Sequence, residues 1–343
     1  MRVRHKLLSV LSALLLSGVL AACGGGSGDD SDGAGKALPP ATAAVSPRNT
    51  DTPAGTVVPA PSATGLAVAG DRIAFAGDDG ALHLATVAAP GSATPTEVRD
   101  VKALAADGDG FLVVTPNAII RVAADGTHQD TAVQGRSELD SALSVARDGD
   151  RVLVGTRTGH VLVFGADGHL QRDIGGFDRV DDLLVGPPTA ALPGQVVVLD
   201  RAQSLVEPID VESGEHKASL RAGNGAGGAV IDHFGRISVA NTRDGEVLGF
   251  FGQPIVMRFR APAGASPYAV AYDEKRDLLW VSTTGDNIAT AYDPSTGEPR
   301  ERGRVPTVGQ VSAMAVAGDG TLLLLSGRGD GLQVVPPAVQ NLR

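Results

Sequence analysis

The chain has 343 residues with 39 acidic and 29 basic side chains, a net charge of −10 that becomes −13 if a leader removes Arg2, Arg4 and Lys6. An acidic surface is repelled by phosphate backbones, and an aromatic content of 3% leaves few platforms for stacking bases, so no nucleic acid is expected as a partner. The apolar fraction of 43% is enough for a core, while 45 Gly and 21 Pro point to many short strands and tight turns rather than long helices.

The N-terminus reads as an export signal. Arg2, Arg4, His5 and Lys6 precede an apolar run from Leu7 to Leu20, too short and too terminal for an ordinary spanning helix. The run ends at Leu20-Ala21-Ala22-Cys23, which resembles the lipobox of bacterial lipoproteins. That resemblance implies a signal peptide over 1–22, cleavage before Cys23, and acylation of Cys23 with chains such as palmitate. It also implies attachment to the extracytoplasmic face of the cell membrane. Two acyl chains suffice for stable anchoring. Cys23 is the only cysteine, so no internal disulfide staples the fold.

Residues 23–61 read as the lipidated cysteine and a tether. Gly24 to Gly33 is a Gly/Ser/Asp run without side chains to bury, and Pro39, Pro40, Pro47, Pro53, Pro59 and Pro61 stiffen the rest of the segment. Within it, Thr56-Val57-Val58 has the composition of a strand.

From residue 62 to 343 the chain repeats loosely every forty residues or so: apolar strand, Asp/Gly turn, apolar strand, Gly turn, third strand. Leu66-Ala67-Val68-Ala69-Gly70-Asp71 with Ile73-Ala74-Phe75-Ala76 opens the series. Ala142 to Ala146 with Val152-Leu153-Val154, and Ala313 to Ala317 with Leu322 to Leu325, are later copies. Seven such units are expected to form an all-β fold, a single seven-bladed β-propeller. Six or eight blades stay open because the unit around Val180 to Leu220 is weak, and a β-sandwich is the competing architecture. The last unit shows three strands, so Thr56 to Val58 is the candidate for the missing edge that closes the ring.

Leu279-Trp280-Val281-Ser282 leading through Gly285-Asp286-Asn287 to Asp293-Pro294-Ser295-Thr296-Gly297 resembles the YVTN/YncE-type repeat of bacterial surface propellers. Over residues 195–335, stretches such as Val198-Leu199-Asp200-Arg201, Leu220-Arg221-Ala222-Gly223 and Ala240-Asn241-Thr242-Arg243 resemble the LppL-like conserved lipoproteins of actinobacteria. The resemblance implies a propeller lipoprotein of the cell envelope and carries no catalytic residues.

Motifs for chemistry are sparse. Gly223-Asn224-Gly225-Ala226-Gly227-Gly228 fits G-x-G-x-x-G but leads into strands, where a dinucleotide site needs a helix. Arg328-Gly329-Asp330 lies in a Gly-rich hairpin and reads as turn chemistry. His83, His128, His160, His169, His216 and His233 have no metal-ligand spacing and read mostly as solvated turn residues. Asp78-Asp79-Gly80 and Asp107 to Gly110 lack the full calcium ligand set. No catalytic, cofactor or metal residue is therefore assigned. The function expected is a binding or scaffold module for an envelope protein or small ligand. The alternative is a metal-dependent lactonase-like hydrolase, for which Asp232, Asn241 and Asp273 are the kind of oxygen ligands required.

Overall fold

The computed structural model describes residues 39–49, 51–133 and 138–343. The segment 1–22 expected to be a signal peptide, the expected acylation site Cys23 and the expected tether up to residue 38 lie outside the described residues. Seven antiparallel sheets of at least four strands succeed one another along the chain. Blades 1 to 6 occupy residues 63–99, 103–132, 142–174, 182–221, 226–262 and 267–306, and blade 7 combines residues 311–335 with the strand Thr56–Val58. Each inner strand touches the inner strands of the two adjacent blades, and the last touches the first. The fold is a closed seven-bladed β-propeller.

The burial pattern is a consequence of that arrangement. A strand inside a blade has neighbouring blades above and below it, so both of its faces are dry. Gly110–Val114 and Leu278–Thr283, second strands of their blades, are buried at every residue. Outer strands such as Val256–Pro262 and Arg300–Pro306 keep mostly exposed residues. Seven apolar clusters fill the seven gaps between blades. Leu153, Val161 and Val163 meet Val196 and Val198 between blades 3 and 4, and Trp280 meets Leu322 and Leu324 between blades 6 and 7.

The final gap depends on the N-terminal strand. Thr56, Val57 and Val58 pair antiparallel with Val334, Gln333 and Leu332, as the composition of that segment suggests. Leu323, Leu325, Leu332 and Val334 of blade 7 then pack on Ile73 and Phe75 of blade 1, with Val58 against them. The chain enters this strand through Gly55 at φ +72°, where a Cβ would lie 2.1 Å from the Val334 carbonyl oxygen. Only glycine avoids both the left-handed penalty and that collision.

The weak fourth repeat has a visible cause. Its inner strand shrinks to Asp182–Val185, residues 186–195 form a long connection in place of a tight turn, and its outer edge is split into Glu215–His216 and Leu220–Arg221. The hydrophobic signal is diluted, yet the blade is complete.

The described residues 39–49 and 51–61, read from sequence as the end of the tether, do not hang free. Ala41 and Ser46 are buried, and residues 39–49 run as an extended strap across one face. Their main-chain carbonyls accept hydrogen bonds from side chains of blades 4 to 7.

If closure rests on that glycine, Gly55→Ala lowers Tm more than Gly70→Ala, since Gly70 also has φ +60° but open space around it. We expect about 1–2 kcal/mol for Gly70→Ala from the backbone alone, and a clearly larger loss for Gly55→Ala by thermal denaturation.

Candidate ligand-binding site at the channel mouth

The seven inner strands surround a cavity of about 820 Å³, within the size range of small-molecule sites. Small residues (Gly65, Gly227, Gly228, Ala229) give it room, while the side chains of Val145, Leu184, Val270 and Met314 beside it are buried in the clusters between blades. It opens on the face where the inner strands begin and where the turns between second and third strands project, the same face crossed by the strap.

The rim is charged. Lys102 lies 3.0 Å from Asp100 and 2.9 Å from Asp140, and its ammonium is held above the usual lysine range by those hydrogen-bonding carboxylates. Arg179 pairs with Asp181 at 2.7 Å, and the second oxygen of Asp181 accepts the Arg201 backbone N–H at 3.0 Å. The cations of Lys102 and Arg179 are thereby balanced by carboxylates beside them.

Arg201 is different. Its Nε donates to the Ala226 carbonyl at 3.2 Å, and its Nη2 donates to the Ala41 carbonyl at 2.6 Å and to the Tyr268 hydroxyl at 3.2 Å. The guanidinium also lies 5.3 Å from the Tyr268 ring centroid. All these partners are neutral. Asp182, the first residue of blade 4, accepts the Ala229 N–H at 3.2 Å. Desolvation, and then the neighbouring Asp181 charge, push its carboxyl up to about 7, with Arg201 and the Ala229 N–H opposing.

Four blades place an arginine in the turn after the second strand: Arg157, Arg201, Arg243 and Arg328. Three of them grip the strap. Arg243 donates to the Pro39 carbonyl at 2.6 Å, Arg201 to that of Ala41, and Arg328 to that of Ser46 at 3.2 Å. The fourth, Arg157 of blade 3, is exposed and lines the cavity. Its side chain has no hydrogen-bond or ion-pair partner among the described residues.

The residues singled out from sequence are distributed otherwise. Asp232 accepts the Phe234 and Arg236 N–H groups and pairs with Arg236 Nε at 2.6 Å. Asp273 accepts the Lys275 and Arg276 N–H groups and pairs with Arg276 Nε at 2.6 Å. Both are turn-building residues at the end of their inner strands, on the face opposite the strap. Asn241 lies at the other end of its blade, bonded to Asp244, Glu246 and the Gly225 N–H. The three oxygen ligands required for the hydrolase alternative therefore do not come together.

Among the described residues, no three His, Cys, Asp or Glu side chains group so as to hold a metal ion. Gly223 to Gly228 runs from a loop into the strand Ala226–Ile231, so no helix succeeds it. Arg328 bonds Asp330 within its own hairpin at 2.8 Å. His83 is buried rather than solvated, stacked at 5.0 Å on Phe75 and bonded to Asp79 at 2.9 Å. His160 pairs with Asp173, and His233 pairs with Glu274.

Sequence reasoning missed Lys102, Arg157, Arg179, Arg201, Asp182 and Tyr268. One signal was present: when the repeats are aligned on their second strands, Thr156-Arg157, Asp200-Arg201, Thr242-Arg243 and Gly327-Arg328 fall at nearly the same place. An arginine recurring at one turn of a ring converges on one rim.

Asp182 also makes stability depend on pH. Its folded-state pKa is raised, so between about pH 4 and 7 the folded chain holds more proton than the unfolded one, and stability falls as pH rises through that window. Asp182→Asn keeps an acceptor for the Ala229 N–H and removes the ionisable group. Its Tm should match the parent near pH 4 and exceed it by a few degrees at pH 8, measured by calorimetry across pH.

No known protein-family profile matches the sequence, and no curated protein matches it. Solved structures do. A chain of the mitotic checkpoint complex aligns with a TM-score of 0.67 at 14% identity, covering 94% of this chain and 98% of that one. A chain of Kuenenia stuttgartiensis hydrazine synthase gives 0.63 at 16% identity, covering 85% and 100%. The WD40 β-propeller domain of Doa1 gives 0.64 at 11% identity, covering 82% and 95%. At such identities the likeness is one of fold alone: this chain is a seven-bladed β-propeller.

Proposed function

We propose that the protein is a membrane-anchored lipoprotein of the cell envelope whose propeller is a binding module, with the central channel mouth as its recognition site. Cys23 carries the acyl chains that hold it to the extracytoplasmic face of the cell membrane. The repeat and lipobox resemblances support grouping it with LppL-like lipoproteins carrying YVTN-type blades. The observation that carries the binding reading is the open cavity of about 820 Å³, charged at its rim and enclosed by a ring of seven blades.

The hydrolase alternative loses support because Asp232 and Asp273 are already bound to Arg236 and Arg276. Partners on this reading are the bilayer, through Cys23, and an envelope ligand at the channel.

Anchoring has a direct test. In the native host, the wild-type chain should partition into the detergent phase and incorporate labelled palmitate, and Cys23→Ser should do neither. A wild-type protein that stays in the aqueous phase, with a mature mass showing no acyl chains, would remove the lipoprotein part of the reading.

A further inference from the structure

We infer that the channel mouth binds small organic anions, a carboxylate or a phosphate monoester, and that Arg157 and Arg201 are the residues that bind the anionic head. This rests on the reading of the channel as the recognition site and names its ligand class.

The argument is a charge balance at the rim. Lys102 and Arg179 are each matched by carboxylates within 3.0 Å, so neither offers an uncompensated charge. Arg201 and Arg157 form no ion pair with a carboxylate among the described residues, and both line the cavity. Arg201 is half-buried and held rigidly by the Ala226 and Ala41 carbonyls and the Tyr268 hydroxyl, which leaves its Nη1 without a hydrogen-bond partner among the described residues. A fixed guanidinium that has lost much of its water and makes no direct ion pair is a site for a planar or tetrahedral oxyanion. Arg157 sits on the adjacent blade, left over because the strap occupies only the other three turn arginines.

The groups facing this pair do not cancel it. Asp181 is held by Arg179. Asp182, packed among Asp181, Arg201 and the Ala229 N–H, has its charge suppressed by burial. Asp78 is on blade 1, across the ring. The chain's overall negative charge opposes anion approach only at long range, and salt screens it beyond about 8 Å at physiological ionic strength. Below the rim, Leu184, Val145, Val270 and Met314 belong to the clusters between blades and are almost fully buried, so recognition rests on the charged head. The mouth therefore favours an anion over a neutral molecule of similar size.

The test uses the full-length lipoprotein in nonionic detergent, with saturation-transfer NMR against three probes: hexanoate, phenyl phosphate and hexan-1-ol. Hexanoate, phenyl phosphate or both should bind, which of them does identifying the head group, while the alcohol is much weaker. Arg157→Gln, an exposed change that leaves the strap intact, should weaken anion binding by up to about tenfold, and Arg157→Gln with Arg201→Gln by more. Asp182→Asn should tighten anion binding at pH 8 and flatten the loss of affinity otherwise seen as pH rises through 7. Equal binding of hexan-1-ol and the anions, or anion binding unchanged in both arginine variants, would overturn the inference and leave the channel as a binding site of another selectivity. Absence of binding by all three probes would overturn it together with the reading of the channel as the recognition site.

Discussion

A blade cannot stand by itself. Its inner strands present apolar side chains on both faces, and only a blade on each side removes both from water. Seven inter-blade clusters therefore form one dependent series rather than one core, and the series closes where blade 7, completed by Thr56–Val58 on Leu332–Val335, packs on blade 1. Without that strand, blade 7 would offer an unpaired edge beside blade 1, a template for aggregation. The closing strand comes from the opposite end of the sequence, so the ring is completed by a contact spanning almost the whole propeller.

The same N-terminal run links closure to the site. Residues 39–49 lie across blades 4 to 7 just before the closing strand. The guanidinium of Arg201 that holds the Ala41 carbonyl also faces the channel. Strap, closure and rim are consequently built from neighbouring contacts. The strap's order comes from side-chain donors reaching its carbonyls, with Asn287 bonding both the Pro47 carbonyl and Asn49. Such contacts read the backbone and leave the strap's own sequence free to be poor in chemistry.

That explains which parts of the molecule were legible in the sequence. The period of apolar pairs around Asp-Gly turns reports blades because each hairpin is a local event, and Gly108 and Gly149 adopt the positive φ those turns require. Blade 4 was faint because its inner strand is four residues long and its turn is replaced by residues 186–195. Pro39 to Asn49 read as linker because composition registers apolar burial, and this segment is held instead by polar groups 160 to 282 residues away. The rim was the least visible part. Asp232 and Asp273 drew attention as carboxylates in turns, yet their partners Arg236 and Arg276 stand only a few positions further on and consume them. Arg157 matters for the contrary reason, that nothing nearby among the described residues answers its charge, and absence of a partner is a property of three-dimensional neighbours.

The central claim is that the ring is closed by a strand from the N-terminal side. Hydrogen–deuterium exchange on the folded protein tests it most directly, by comparing the peptide covering residues 55–59 with that covering 332–335. A closed ring predicts slow exchange in both, with protection lost together as denaturant is added. Exchange of residues 55–59 at the rate of a free peptide, while 332–335 stays protected, would contradict it.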